Sequence, residues 1–144
     1  MEASLWVSTT GTDADWIVKI IDVHPEAPES TPLAGYQMLI RSEVIRGRYR
    51  NDYAKPEPLV PNEPTVVRLE LLDVLHRFRK GHRLMVQIQS TWFPLVDRNP
   101  QKYVPNIFFA KSDDFQNATH RVFRSSSHPT CLKLGILPVK ESGI

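Results

Sequence analysis

The chain contains one cysteine, Cys131, so no internal disulfide can form and thiolate zinc sites of the finger type are excluded. A lone cysteine is expected as a small buried apolar residue rather than a nucleophile. Glycine is scarce, at positions 11, 35, 47, 81, 135 and 143 only. None brackets a serine as G-x-S-x-G, and neither a P-loop nor a dinucleotide fingerprint is present. Those motifs depend on glycine, because the backbone must turn sharply or approach a ligand closely. No apolar run approaches the length that spans a bilayer, so no membrane contact is expected. Met1-Glu2 leads directly into a strand pattern, with no basic start followed by an apolar stretch, so no signal peptide is expected here. The compartment is left open. A large excess of either charge is also missing: the net value of +2 gives no reason to expect nucleic acid. Basic residues bunch in Arg41–Arg50 and Arg77–Arg83, which read as solvated strand edge or loop.

Proline, by contrast, is plentiful, with twelve residues. It breaks helix interiors and central strands, and no helical period is visible. Short apolar segments separated by turn chemistry fill the chain instead. Ala3–Ser8 alternates with a period of two, and Thr9–Asp13 is a turn cluster. Trp16–Val23 is β-branched and apolar on both parities, the pattern of a central strand covered on both faces. His24-Pro25 closes it, and a polar loop runs from Pro25 to Pro32. Gly35–Ile45 places Tyr36, Met38 and Ile40 on one parity. Arg46–Pro64 carries too many turn residues for a regular element, and so long a loop in a compact domain suggests a surface made for a neighbour.

Thr65–Leu71 turns Val67, Leu69 and Leu71 inward. Val74–Phe78 reads as a helical turn or a bend, and Lys80-Gly81-His82 as a tight turn. Arg83–Ser90 turns Leu84, Val86 and Ile88 inward, and is expected to pair antiparallel with Thr65–Leu71. Ala118–Arg124 and Thr130–Leu134 are the last two strands, and 135–144 is a tail. The pattern is that of one all-β domain over 1–144, long enough to bury roughly 68–70% of its unfolded surface.

Candidate chemistry is sparse. His76 and His82 face each other across a turn and can approach; the ordinary state for each of the five histidines is a surface or capped side chain, and no metal site is expected. Ser126, His128 and Asp113 offer the residue types of a triad, but a triad is defined by geometry and none is expected. Asp13 and Asp15, like Asp97 and Asn99, alternate in turns, where such residues bond their own backbone; two oxygens are too few for calcium. Trp6, Trp16, Trp92 and Phe93 could stack on sugar rings, although aromatic residues in a sandwich mostly serve the core.

Residues 65–107 carry a longer pattern: Val67–Leu71, His76-Arg77-Phe78, Lys80–Ile88, Ser90–Pro94 and Asp97-Arg98-Asn99-Pro100. The run from Gly81-His82-Arg83 through Trp92-Phe93-Pro94 to Asp97-Arg98-Asn99 resembles the C-terminal domain of the X-Pro dipeptidyl-peptidase, cocaine-esterase and α-amino-acid ester hydrolase family of serine hydrolases. Val7–Val23 and Arg41-Ser42-Glu43 extend the resemblance upstream. It implies a jelly-roll β-sandwich, galactose-binding-like, whose family counterparts begin a strand or two earlier; an edge left unpaired that way invites self-association. It also implies a non-catalytic accessory role: the triad belongs to a separate α/β-hydrolase domain of the same parent chain, the partner on which this domain packs to shape the active-site entrance. No catalytic or cofactor-binding residue falls in this sequence, and no cofactor is expected. Trp92, Phe93, Arg98 and Asn99 are the expected inter-domain contacts, a rigid apolar corner beside hydrogen-bond donors. The competing reading is a carbohydrate-binding module, from fold analogy alone.

Overall fold

The computed structural model describes residues 1–26 and 32–138. Seven strands run in chain order: β1 Glu2–Thr9, β2 Asp15–Val23, β3 Gln37–Arg46, β4 Thr65–Glu70, β5 Arg83–Gln89, β6 His120–Val122 and β7 Cys131–Lys133. Among the described residues the only helical elements are the 3-10 turns Gly47–Tyr49, Ile107–Phe109 and Ser112–Asp114. The expected all-β class is observed, as two antiparallel sheets forming a sandwich.

In the first sheet β1 is central, with β4 on one side, pairing Glu2 with Glu70 through to Val7 with Thr65. Along its other side β6 pairs with Val7–Thr9 and β7 with Glu2–Ser4. The backbone of Trp6 spans the interruption between them: its carbonyl accepts from Phe123 N–H at 2.8 Å, and its N–H donates to Thr130 Oγ1 at 2.9 Å. The second sheet has the order β3-β2-β5.

The alternating pattern places the core. Ala3, Leu5 and Val7 of β1, Trp16, Val18 and Ile20 of β2, Ile45 of β3 and Val67 and Leu69 of β4 meet in one cluster, together with Ala14, Leu59 and Leu71. Burying a side chain of this size stabilises the fold by about 1.5–3 kcal/mol. Ile17, Ile21 and Val23, on the other parity of β2, are also buried, as expected for a strand covered on both faces.

Several expectations fail. β4 and β5 do not pair with each other: β4 bonds to β1 and β5 to β2, in different sheets. The connection Leu71–His82 therefore crosses the sandwich; two alternating strands with a long spacer carry no signal for which neighbour each will take. Leu84 and Val86 do not point into the core. They are 48% and 43% exposed, because β5 is an edge strand and the core packs only against its Ile88 end. Cys131 is exposed, on short β7 at the sheet margin. Val74–Phe78 forms neither helix nor strand. The Pro25–Pro32 loop and the 135–144 tail fall partly outside the described residues.

The Arg46–Pro64 segment is irregular apart from one 3-10 turn, as expected, but it is not merely surface. Arg48 is buried, against the reading of its cluster as solvated. Its Nε and Nη2 donate to Asp13 Oδ2 at 2.8 and 2.6 Å, and its Nη1 donates to the Val104 carbonyl at 2.9 Å. One guanidinium thus ties the β1–β2 turn, the long loop and the segment after β5 together. Gly11 in that turn has no alternative: a Cβ there would lie 2.1 Å from the Gln101 carbonyl oxygen.

Candidate functional site

Two places gather polar side chains, at opposite ends of the second sheet. Strand β5 is antiparallel to β2, with Gln89 opposite Ile17 and Arg83 opposite Val23. The chain leaving β5 at Gln89 therefore lies near the start of β2, and the chain entering β5 at Arg83 lies near its end.

The first place is the corner after β5. Trp92 is partly buried, with Lys19 Nζ 4.3 Å from the ring centroid. Phe93 is 58% exposed, and the guanidinium carbon of Arg98 stands 4.6 Å from its ring. Asn99 is not at the surface. Its side-chain amide donates to Asp15 Oδ1 at 2.8 Å, and its Oδ1 accepts from Gln101 N–H at 2.8 Å. It holds the corner onto β2 from beneath. Asp15, buried by that contact, has its pKa pushed up to about 6 by desolvation, against the lowering effects of the Asn99 hydrogen bond and the Arg46 charge.

Trp92, Phe93 and Arg98 line one depression with Phe115, which is 45% exposed, and with Gln89, Gln101 and His120. Gln89 Oε1, Gln101 Oε1 and His120 Nδ1 are buried and have no hydrogen-bond partner among the described residues. Burial holds the His120 imidazole below its ordinary pKa, favouring the neutral ring. The exposed apolar rim of Phe93 and Phe115 suits contact with another surface.

The second place is the end of β2. Asp22 Oδ1 lies 2.8 Å from His82 Nδ1, and Asp22 Oδ2 lies 2.9 Å from His76 Nε2. An ionised carboxylate only accepts, so both imidazoles donate N–H to it. Burial pushes the Asp22 carboxyl up, but the hydrogen bonds and charges of His76 and His82 outweigh it and hold the pKa below the ordinary value. The Gly81 turn, at φ +87°, delivers His82 to this position. The approach of His76 and His82 is legible from their spacing; the carboxylate on which they meet is not.

The remaining candidates stay apart. His128 Nδ1 lies 3.0 Å from Ser127 Oγ, not on Ser126, and no carboxylate joins them among the described residues. Asp13 bonds its neighbour's backbone, as expected of a turn, and carries the Arg48 ion pair besides. Trp16 is in the core, Trp6 meets His128 edge-on and Trp92 lies under Lys19, so the indoles do not share one platform.

Comparison with known proteins agrees with this architecture. The chain is 29% identical over 137 residues to the cocaine esterase of Rhodococcus sp. (strain MB1 Bresler), which covers 95% of this chain and 22% of that protein. Among solved structures, an aminopeptidase from a marine sediment Thaumarchaeota archaeon superimposes with a TM-score of 0.86 at 52% identity, over 90% of this chain and 21% of that one. An α-amino acid ester hydrolase gives a TM-score of 0.86 at 48% identity, again over 90% of this chain and 21% of its own. The chain thus spans about a fifth of the length of the relatives it matches. The family model for the X-Pro dipeptidyl-peptidase C-terminal non-catalytic domain matches residues 1–133, and the chain belongs to that family.

Proposed function

We propose that this domain packs against the α/β-hydrolase domain of a parent serine hydrolase, of the X-Pro dipeptidyl-peptidase or α-amino-acid ester hydrolase type, and helps shape its active-site entrance. The supporting observation is the depression after β5. Phe93 and Phe115 are exposed at its rim, with the Arg98 guanidinium against the Phe93 ring. Trp92, Phe93 and Arg98 make the contact; Asn99 positions them by anchoring the corner to Asp15. The chemistry of such a parent resides in its other domain, and this domain contributes shape and desolvation at the entrance.

The test uses the parent protein and its separately produced catalytic domain. Titrating that domain with this one gives saturable binding, and Phe93→Asp or Arg98→Glu weakens it roughly tenfold or more, as charge placed in an interface core does. Leu75→Ser, at the other end of the sheet, leaves it unchanged. Equal binding by all variants refutes the assigned face, and turnover of ester or X-Pro substrates by this domain alone refutes the accessory role.

A further inference from the structure

The carboxylate–imidazole group at the end of β2 is more than a clasp between loop and strand. Besides His76 and His82, a third imidazole is present: the His24 ring centroid is 4.5 Å from that of His82. Among the described residues the His24 ring nitrogens have no hydrogen-bond partner. One donor atom each from Asp22, His24 and His82 lie within 4.8 Å of one another. Tetrahedral zinc holds such atoms at about 2.0–2.2 Å from the ion, so small side-chain rotations close the set. Asp22 is 3% exposed, His82 12% and His76 23%, which shelters the group while leaving access from the cleft.

We propose that Asp22, His24 and His82 form a binding site for a divalent transition metal of the zinc type, with His76 orienting the carboxylate from outside. Two imidazoles and one carboxylate are ligands suited to zinc, nickel or copper rather than to calcium or magnesium, which take oxygen. The His76 bond to the second Asp22 oxygen is the outer-shell support that a ligating carboxylate requires. On binding, the proton between His82 Nδ1 and Asp22 leaves to solvent, Nε2 carries the N–H of the neutral ring, and the Nδ1 lone pair goes to the ion. No bond is otherwise made or broken. Arg77, Arg79 and Lys80 line the same cleft, and their charge opposes a cation, which weakens the site. Metal held here fixes the Leu71–His82 connection, which carries the chain between the two sheets, to β2.

The test is zinc titration of the metal-stripped, untagged protein near neutral pH, by calorimetry and by elemental analysis after equilibrium dialysis. The background carries Cys131→Ser, because the exposed thiol also binds zinc. One ion per chain is expected. His24→Gln removes a ligand without removing a hydrogen bond seen in the fold, and lowers affinity roughly tenfold or more, as does His82→Gln. Circular dichroism and apo-state Tm show whether each variant is folded. Cobalt(II) provides a readout that needs no variant: its visible bands distinguish an imidazole–carboxylate set from an aquo ion. No saturable binding below about 0.1 mM zinc, or equal affinity in folded His24→Gln, overturns the proposal and leaves the group as a structural clasp. Cobalt bands of the aquo ion alone do the same.

Discussion

Replacing Arg48 by Met is the sharpest test of how this domain is held together. The substitution keeps the volume of the stem and removes three charge-assisted hydrogen bonds, two to Asp13 Oδ2 and one to the Val104 carbonyl. Asp13 is 0% exposed, so its carboxylate remains buried with no counter-charge. Breaking one side of a buried ion pair costs about 3–5 kcal/mol, and an orphaned buried carbonyl adds roughly 1–3 kcal/mol if it cannot relax. Against a typical domain stability of about 5–15 kcal/mol, this loss removes roughly a fifth or more of the total. Arg48→Lys recovers only part of it, since one ammonium cannot reproduce the guanidinium fork. Asp13→Asn combined with Arg48→Met removes the stranded charge and is more stable than Arg48→Met alone. Urea unfolding followed by the fluorescence of buried Trp16 reads all three variants. A loss below about 1 kcal/mol in Arg48→Met, or a double variant weaker than the single, refutes the buried-charge reasoning.

Two further outcomes concern the same region. Gly11→Ala puts a Cβ against the Gln101 backbone oxygen at 2.1 Å, which also accepts from Thr12 N–H at 3.0 Å; a loss of about 1–3 kcal/mol is expected by thermal melting, while Gly135→Ala, which meets nothing within 4 Å, serves as a neutral control. Asp15→Asn keeps an acceptor for Asn99 and removes an ionisable group whose pKa rises from 3.8 to about 6 on folding. The folded state holds that proton more tightly, so the contribution of Asp15 is full below pH 3.8 and is lost as pH rises through about 6. The stability of the wild type relative to Asp15→Asn therefore falls by roughly 3 kcal/mol across that window, read by urea unfolding at several pH values; a difference flat in pH refutes it.

Features that depend on neighbouring residues are legible in the sequence. Two-residue alternation in Ala3–Ser8, Thr65–Leu71 and Arg83–Ser90 specifies strands, because successive side chains point to opposite faces. Apolar residues on both parities of Trp16–Val23 mark the central strand, and Gly81 marks a turn that needs positive φ. The missing glycine motifs and the Gly81–Asn99 run point to a non-catalytic module of the same family that comparison finds.

Features that depend on distant residues emerge only when the chain is folded. Pairing of β5 with β2 instead of β4, and the resulting exposure of Leu84 and Val86, depend on where a long connection lands, and alternation reads the same in either sheet. Arg48 meets Asp13 across 35 positions, Asn99 meets Asp15 across 84, and His76 and His82 meet Asp22 across 54 and 60. Lengthening a loop adds little to its closure cost, so sequence distance gives almost no information about which charges become neighbours. Burial then converts those encounters from weak surface attractions into the bonds that position each candidate site.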